Sequence, residues 1–227
     1  MKDYLFPFST CEKPNKKGVA QPWSVAVNTL SIFIILYFLF QVKHWYAFLL
    51  IFSLLIFECV HTFSHVIHLP NYLQLNIIHT LAYFVNFCYL IAFYNLTKKA
   101  PSELFIMYLF VLLCIDVYAF LFLSFVYYFS SSLLIFFSIL TYYYQYIAKD
   151  SKNYILTILA LGLTIMGLFY NEKLNCEKML SFMPNFPFHA VLEIAGLFIF
   201  YFICKFFTLE SPRYGREVVW FQQVHLL

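Results

Sequence analysis

Long apolar runs broken by short polar clusters divide this chain into seven stretches, each close to the ~20 residues that span a bilayer as a helix. They run roughly over residues 23–42, 45–68, 72–95, 103–125, 128–148, 153–170 and 188–207. Proline and charge mark most of the breaks. Gln21-Pro22 precedes the first run, and Leu69-Pro70-Asn71 follows the second. Lys98, Lys99 and Pro101 follow the third, and Pro184 and Pro187 precede the last. Only Ser130-Ser131-Ser132 marks the boundary between the fourth and the fifth. The pattern predicts an all-α, polytopic membrane protein built as a seven-transmembrane-helix bundle.

The expected organisation is an N-terminal segment over 1–21, a membrane domain over 22–208 and a tail over 209–227. The first 21 residues carry Lys13, Lys16 and Lys17 and lack the apolar stretch of a cleavable signal, so the first helix is expected to act as an uncleaved anchor. An odd number of spans sets the termini on opposite sides. The end of the second helix and the starts of the third and seventh then share the N-terminal side. Short loops on the other side hold Lys43, Lys98, Lys99, Lys149 and Lys152, and the tail holds Arg213 and Arg216. The N-terminal side has Lys173 and Lys178 in its loops, besides the lysines of the N-terminal segment. The bias expects a cytoplasmic C-terminus and an exoplasmic or lumenal N-terminus.

Composition adds an exclusion. Hydrophobic residues make up 63% of the chain and charged ones 11%, with a mean hydropathy of +0.78. A soluble domain carries about 25% charged residues. The net charge of +3 is spread over loops and tails, so no nucleic-acid surface is expected. The expected partner is a membrane lipid, and no protein partner is inferred.

Against this apolar background the ionisable residues stand out. Glu58, His61, Ser64, His65 and His68 lie in ECVHTFSHVIH, His79 in NIIHTLAY, and His189 and Glu193 in PFHAVLE. Such groups inside spans are costly and read by default as functional. Clustered His and Glu point to a metal. At about 100° per residue, Glu58, His61, His65 and His68 share a stripe about 80° wide, which should face the bundle interior. His189 and Glu193, spaced i, i+4, share a face and can hold one metal, with His68 or His79 completing three ligands. A fourth position left to water would make the site catalytic, because zinc brings the pKa of that water to about 7. Ser64, one turn before His68, can donate to an oxyanion. Histidines left over would orient a ligand, relay a proton or bond between helices. Asp116, in LLCIDVYAF, pairs with an intramembrane histidine, joins a proton path or sits as a buried neutral carboxyl. His44 and His225 are expected at the surface. Cys11 and Cys176 lie outside the spans on the N-terminal side; they pair in an oxidising compartment or stand as separate thiols.

Ser64 and His68 fit a Ser-x-x-x-His signature, and in this the chain resembles the alkaline ceramidase and adiponectin-receptor superfamily, seven-helix membrane hydrolases with one zinc. Cys11-Glu12, Gln21-Pro22 and Asn28-Thr29-Leu30-Ser31 are similar to the N-terminal stretch of ceramidase-like proteins. The resemblance implies His68, His189 and Glu193 as metal ligands, with Ser64 and His79 catalytic. It also implies a Cys11–Cys176 disulfide. His79 stands where the family has an aspartate, and Glu193 where it has its last histidine. Two His and one Glu form an accepted zinc set and also suit iron. Glu58, His61, His65 and Asp116 are extra to the pattern, as possible ligands or supports of ligands. The implied activity is hydrolysis of a lipid amide or ester.

Other readings stay open. His61-x-x-x-His65 resembles one histidine box of the di-iron lipid oxidases and desaturases, which need about eight ligands in all. The chain is otherwise a receptor or a scaffold retaining a metal, or a haem protein with paired axial histidines.

Overall fold

The computed structural model describes residues 11–12, 15–67, 72–123 and 125–214. His68 and His225 lie outside the described residues. Seven α-helices are present among those described: α1 (Pro22–Leu39), α2 (Trp45–Val66), α3 (Tyr72–Thr97), α4 (Glu103–Phe122), α5 (Phe125–Tyr144), α6 (Lys152–Phe182) and α7 (Phe188–Tyr214). All seven are long and apolar enough to cross a membrane, which makes this an all-α, multi-pass integral membrane protein.

Local chemistry fixes several helix ends. Pro22 opens α1 at a position where its missing N–H costs nothing. The free amides of that first turn are satisfied from a distance by Glu12, which accepts from Trp23 N–H at 2.5 Å, Ser24 N–H at 3.3 Å and Ser24 Oγ at 2.5 Å. The negative carboxylate also complements the positive end of the helix dipole. α3 closes on Lys98, whose φ of 57° is left-handed, with its N–H donating to Tyr94 O at 2.8 Å.

Two helices end elsewhere than hydropathy predicts. α6 continues to Phe182 rather than stopping near 170. Its 31 residues make about 46 Å of helix at 1.5 Å per residue, well beyond the ~30 Å hydrocarbon layer. The polar stretch from Asn171 to Lys178 ends the lipid signal but not the helix, because no Pro or Gly interrupts the chain between Gly167 and Pro184. Its buried stripe of Ile158, Gly162, Ile165, Phe169 and Glu172 keeps helical spacing throughout. α2, by contrast, stops at Val66, and Ile67 is extended. Its last carbonyls are capped by a segment far away in sequence. Gln21 N–H donates to His65 O at 3.0 Å, and Ala20 N–H to Val66 O at 3.2 Å.

α7 is the central helix and packs against α1, α2, α3 and α6. α5 joins α4 and α6 and touches α3, whereas α4 packs chiefly on α5. Phe93 of α3, Tyr143 of α5 and Phe206 and Phe207 of α7 lock the end remote from the histidines, with Phe93 stacked on Tyr143 at 5.1 Å. Gly162 is required by the α5–α6 contact, since a Cβ there would collide with the Phe137 ring. At Gly167 and Gly196 a Cβ would meet nothing within 4 Å. His44 is not at the surface: it is buried and stacked on Tyr46 with ring centroids 5.5 Å apart.

Candidate metal centre

The end of α2, the start of α7 and the extension of α6 meet at one end of the bundle. The chain before α1 joins them there. A disulfide joins Cys11 to Cys176 across 165 residues and ties this N-terminal strap to α6. The backbone bonds from Ala20 and Gln21 tie its other end to α2.

Helical spacing sets the site. His61 and His65 lie one turn apart on α2, and His189 and Glu193 one turn apart on α7. Their donor atoms converge. Glu193 Oε1 lies 3.2 Å from His189 Nε2, 3.4 Å from His65 Nε2 and 4.0 Å from His61 Nε2. His61 Nε2 and His65 Nε2 are 3.1 Å apart. The ligand atoms of His61, His65 and Glu193 all lie within 4.8 Å of one another.

The other nitrogen of each ring faces an oxygen, and His61 Nδ1 also lies 3.5 Å from Asn28 Nδ2. His189 Nδ1 lies 2.8 Å from Glu172 Oε2, and His61 Nδ1 3.3 Å from Glu58 Oε2. His65 Nδ1 bonds to Gln21 Oε1. An oxygen at Nδ1 calls for the proton on that nitrogen, which leaves Nε2 as a bare lone pair. Where Nε2 carries no proton, these nitrogens and Glu193 Oε1 offer lone pairs that a metal ion at their centre would hold together; a proton on His65 or His189 Nε2 pairs with Glu193 instead. Zinc–nitrogen bonds of about 2.0–2.1 Å in a tetrahedron put neighbouring donors about 3.3 Å apart, close to the His61–His65, His65–Glu193 and His189–Glu193 separations, whereas His189 stands outside the set whose donors all lie within 4.8 Å of one another. Acceptors that fix the tautomer of each ligating imidazole are what a metal site requires of its surroundings.

The cluster forms the polar floor of a cavity of about 260 Å³. Its walls are apolar, with Phe57 of α2, Phe129 and Leu133 of α5, Ile165 and Phe169 of α6, and Leu192, Ile199 and Phe200 of α7. Gly196 of α7 and Lys173 of α6 also line it.

Of the residues singled out in the sequence, His61, His65, Glu58, His189 and Glu193 come together. Three do not join them. Ser64 is buried one position from His65, but its Oγ donates to His61 O at 2.5 Å within its own helix. His79, on α3, stacks on Phe120 at 3.9 Å between Tyr83 and Tyr128. Asp116 accepts from Tyr83 Oη at 2.5 Å and from Ser131 Oγ, rather than pairing with a histidine. Sequence reading missed Gln21 and Glu172. The stripe of α6 carries the signal for Glu172, which follows Phe169 by three residues and precedes Cys176 by four. Gln21 gives no local signal, because its role arises only when the strap meets α2.

Comparisons of the chain with protein-family models, with curated proteins and with solved structures find no match.

Proposed function

We propose that this protein is a metal-dependent intramembrane hydrolase acting on a lipid amide or ester, with His61, His65 and His189 as the ligands of one divalent metal, zinc by preference. The observation that carries the reading is the gathering of His61 Nε2, His65 Nε2 and His189 Nε2 about Glu193 Oε1 at the floor of an apolar cavity. A zinc ion held by three histidines lowers the pKa of a bound water toward 7 and polarises a carbonyl. The chain's own residues supply the rest. Glu58, Gln21 and Glu172 hold the three rings in the ligating tautomer. Glu193 is the base within reach of the water's proton, and by turning it can return that proton to the leaving amine or alcohol. The apolar walls exclude bulk water and accept an acyl chain, so that only the polar linkage meets the floor.

The resemblance to ceramidase-like hydrolases supports the same reaction class, with the first ligand moved from His68 to His65. Four converging donors suit one metal ion better than two irons, which need about eight ligands. The Cys11–Cys176 bond supports an exoplasmic or lumenal position for the N-terminal end, where disulfides persist.

The test is elemental analysis of the purified chain together with mass spectrometry of products from N-acyl and O-acyl lipids. One zinc per chain and release of free fatty acid, both lost in His65→Ala, are expected. A wild-type chain that binds no metal after incubation with zinc overturns the proposal.

A further inference from the structure

We infer that Glu172 is the positioning residue of this centre and that the Cys11–Cys176 disulfide keeps it aimed; the inference rests on the metal reading above. Both carboxylate oxygens of Glu172 are committed. Oε2 accepts from His189 Nδ1 at 2.8 Å, and Oε1 accepts from the Cys11 backbone N–H at 2.7 Å. The side chain is buried, so water does not compete for either bond.

The three groups that steer the histidines are secured in different ways. Glu58 lies on the same helix as His61, three residues before it, and has Ser31 of α1 as a second hydrogen-bond partner. Gln21 is anchored through its own backbone to the end of α2. Glu172 alone reaches from one helix to a ring on another. Its remaining hold is an amide of the strap. That amide is delivered by the Cys11–Cys176 bond, and Cys176 lies one turn beyond Glu172 on α6. A closed circuit results: Glu172 to Cys176 along the helix, Cys176 to Cys11 through sulfur, and the Cys11 N–H back to Glu172. Without the disulfide the amide can leave, the carboxylate can rotate, and His189 loses the acceptor that sets its tautomer. Glu172 also makes His189 a stronger donor, because a carboxylate pulling on Nδ1–H enriches Nε2. Glu172 also lines the cavity, but both of its oxygens are taken by His189 and Cys11, so its effect on the metal passes through His189.

The experiment uses the full chain in detergent micelles with zinc as the probe and a competing chelator to read its Kd. Glu172→Gln keeps the size of the side chain but replaces one of the two acceptors with a donor. It is expected to weaken zinc binding about 10- to 100-fold, as loss of such supporting partners does. The pair Cys11→Ala with Cys176→Ala is expected to weaken it severalfold. Adding Glu172→Gln to that pair should leave the Kd no weaker than Glu172→Gln alone, since both changes cut one link. Thermal midpoints of the zinc-free variants separate folding from aim. A lowered midpoint with unchanged zinc Kd in Glu172→Gln would make the residue merely structural and overturn the inference. Additive losses in the combined variant would overturn the role of the disulfide. Failure of the wild-type chain to bind zinc sinks the underlying metal reading, whereas wild-type binding matched by Glu172→Gln sinks this inference alone.

Discussion

His65→Ala is the most informative single change to the proposed centre. His65 is buried, its Nε2 lies 3.1 Å from His61 Nε2 and 3.4 Å from Glu193 Oε1, and its Nδ1 is held by Gln21. Structural zinc sites with four protein ligands have an apparent binding free energy of about 10–16 kcal/mol, about 2.5–4 kcal/mol per ligand, and the same share is taken for His65 among its three proposed ligands. At 1.4 kcal/mol per decade this is a loss of about 10²- to 10³-fold in zinc affinity. Stability should follow by mass action. With free zinc at about 1,000 times the wild-type Kd, the wild-type chain gains about 4 kcal/mol, and the variant at the same zinc concentration gains about 1.4 kcal/mol or less. For a domain of this size each kcal/mol moves Tm by about 2–4 °C. Chelation should therefore lower the wild-type Tm by about 8–16 °C and that of His65→Ala by no more than about 6 °C. The assay is differential scanning fluorimetry in detergent, each protein with zinc and with excess chelator. Equal shifts in the two proteins, zero included, would refute the reasoning from converging lone pairs.

Three further outcomes are expected. Gly162→Val should push α5 away from α6 by collision with Phe137 and cost about 1–3 kcal/mol, seen as a lower Tm; Phe137→Ala in the same chain should recover most of it, and absence of any recovery would place the strain elsewhere. Gly196→Leu projects into the cavity where a Cβ meets nothing within 4 Å, so zinc content should hold while acyl-lipid hydrolysis shifts to shorter chains, as read by product mass spectrometry. Tyr83→Phe removes the donor to Asp116 Oδ2 and should cost about 0.6–1.7 kcal/mol by thermal unfolding. It should leave zinc binding intact, since that network adjoins His79 and not the cluster of His61, His65 and His189; a lost metal would join the two sites.

Hydropathy carried the fold. Seven apolar runs gave seven helices, and counting them was enough to bring the start of α7 to the same end of the bundle as the end of α2. That is how His189 and Glu193 were legible as partners of histidines so distant in sequence. The choice among the α2 histidines was not legible. His61, His65 and His68 share one stripe, and helical periodicity cannot rank residues on a single face. The proposed choice of His61 and His65 rests on what meets His65 at the end of α2, which the strap sets through Ala20 and Gln21; His68 lies outside the described residues. Glu172 was obscured for another reason. Hydropathy reports contact with lipid, and α6 outruns the lipid while remaining a helix. His79, assigned by its distance from His68 along the chain, stands on α3 among aromatic rings.

The span of the strap has a consequence for how the protein is made. Cys11 meets a partner that lies 165 residues later, and Gln21 and His65 are threaded into the bilayer long before Glu172, His189 and Glu193 exist. A ribosome stalled ahead of α7 leaves two imidazoles in hydrocarbon with nothing to coordinate, an expensive defect for a nascent membrane protein. The proposed metal pocket is therefore completed late in biogenesis, only once α7 has been delivered.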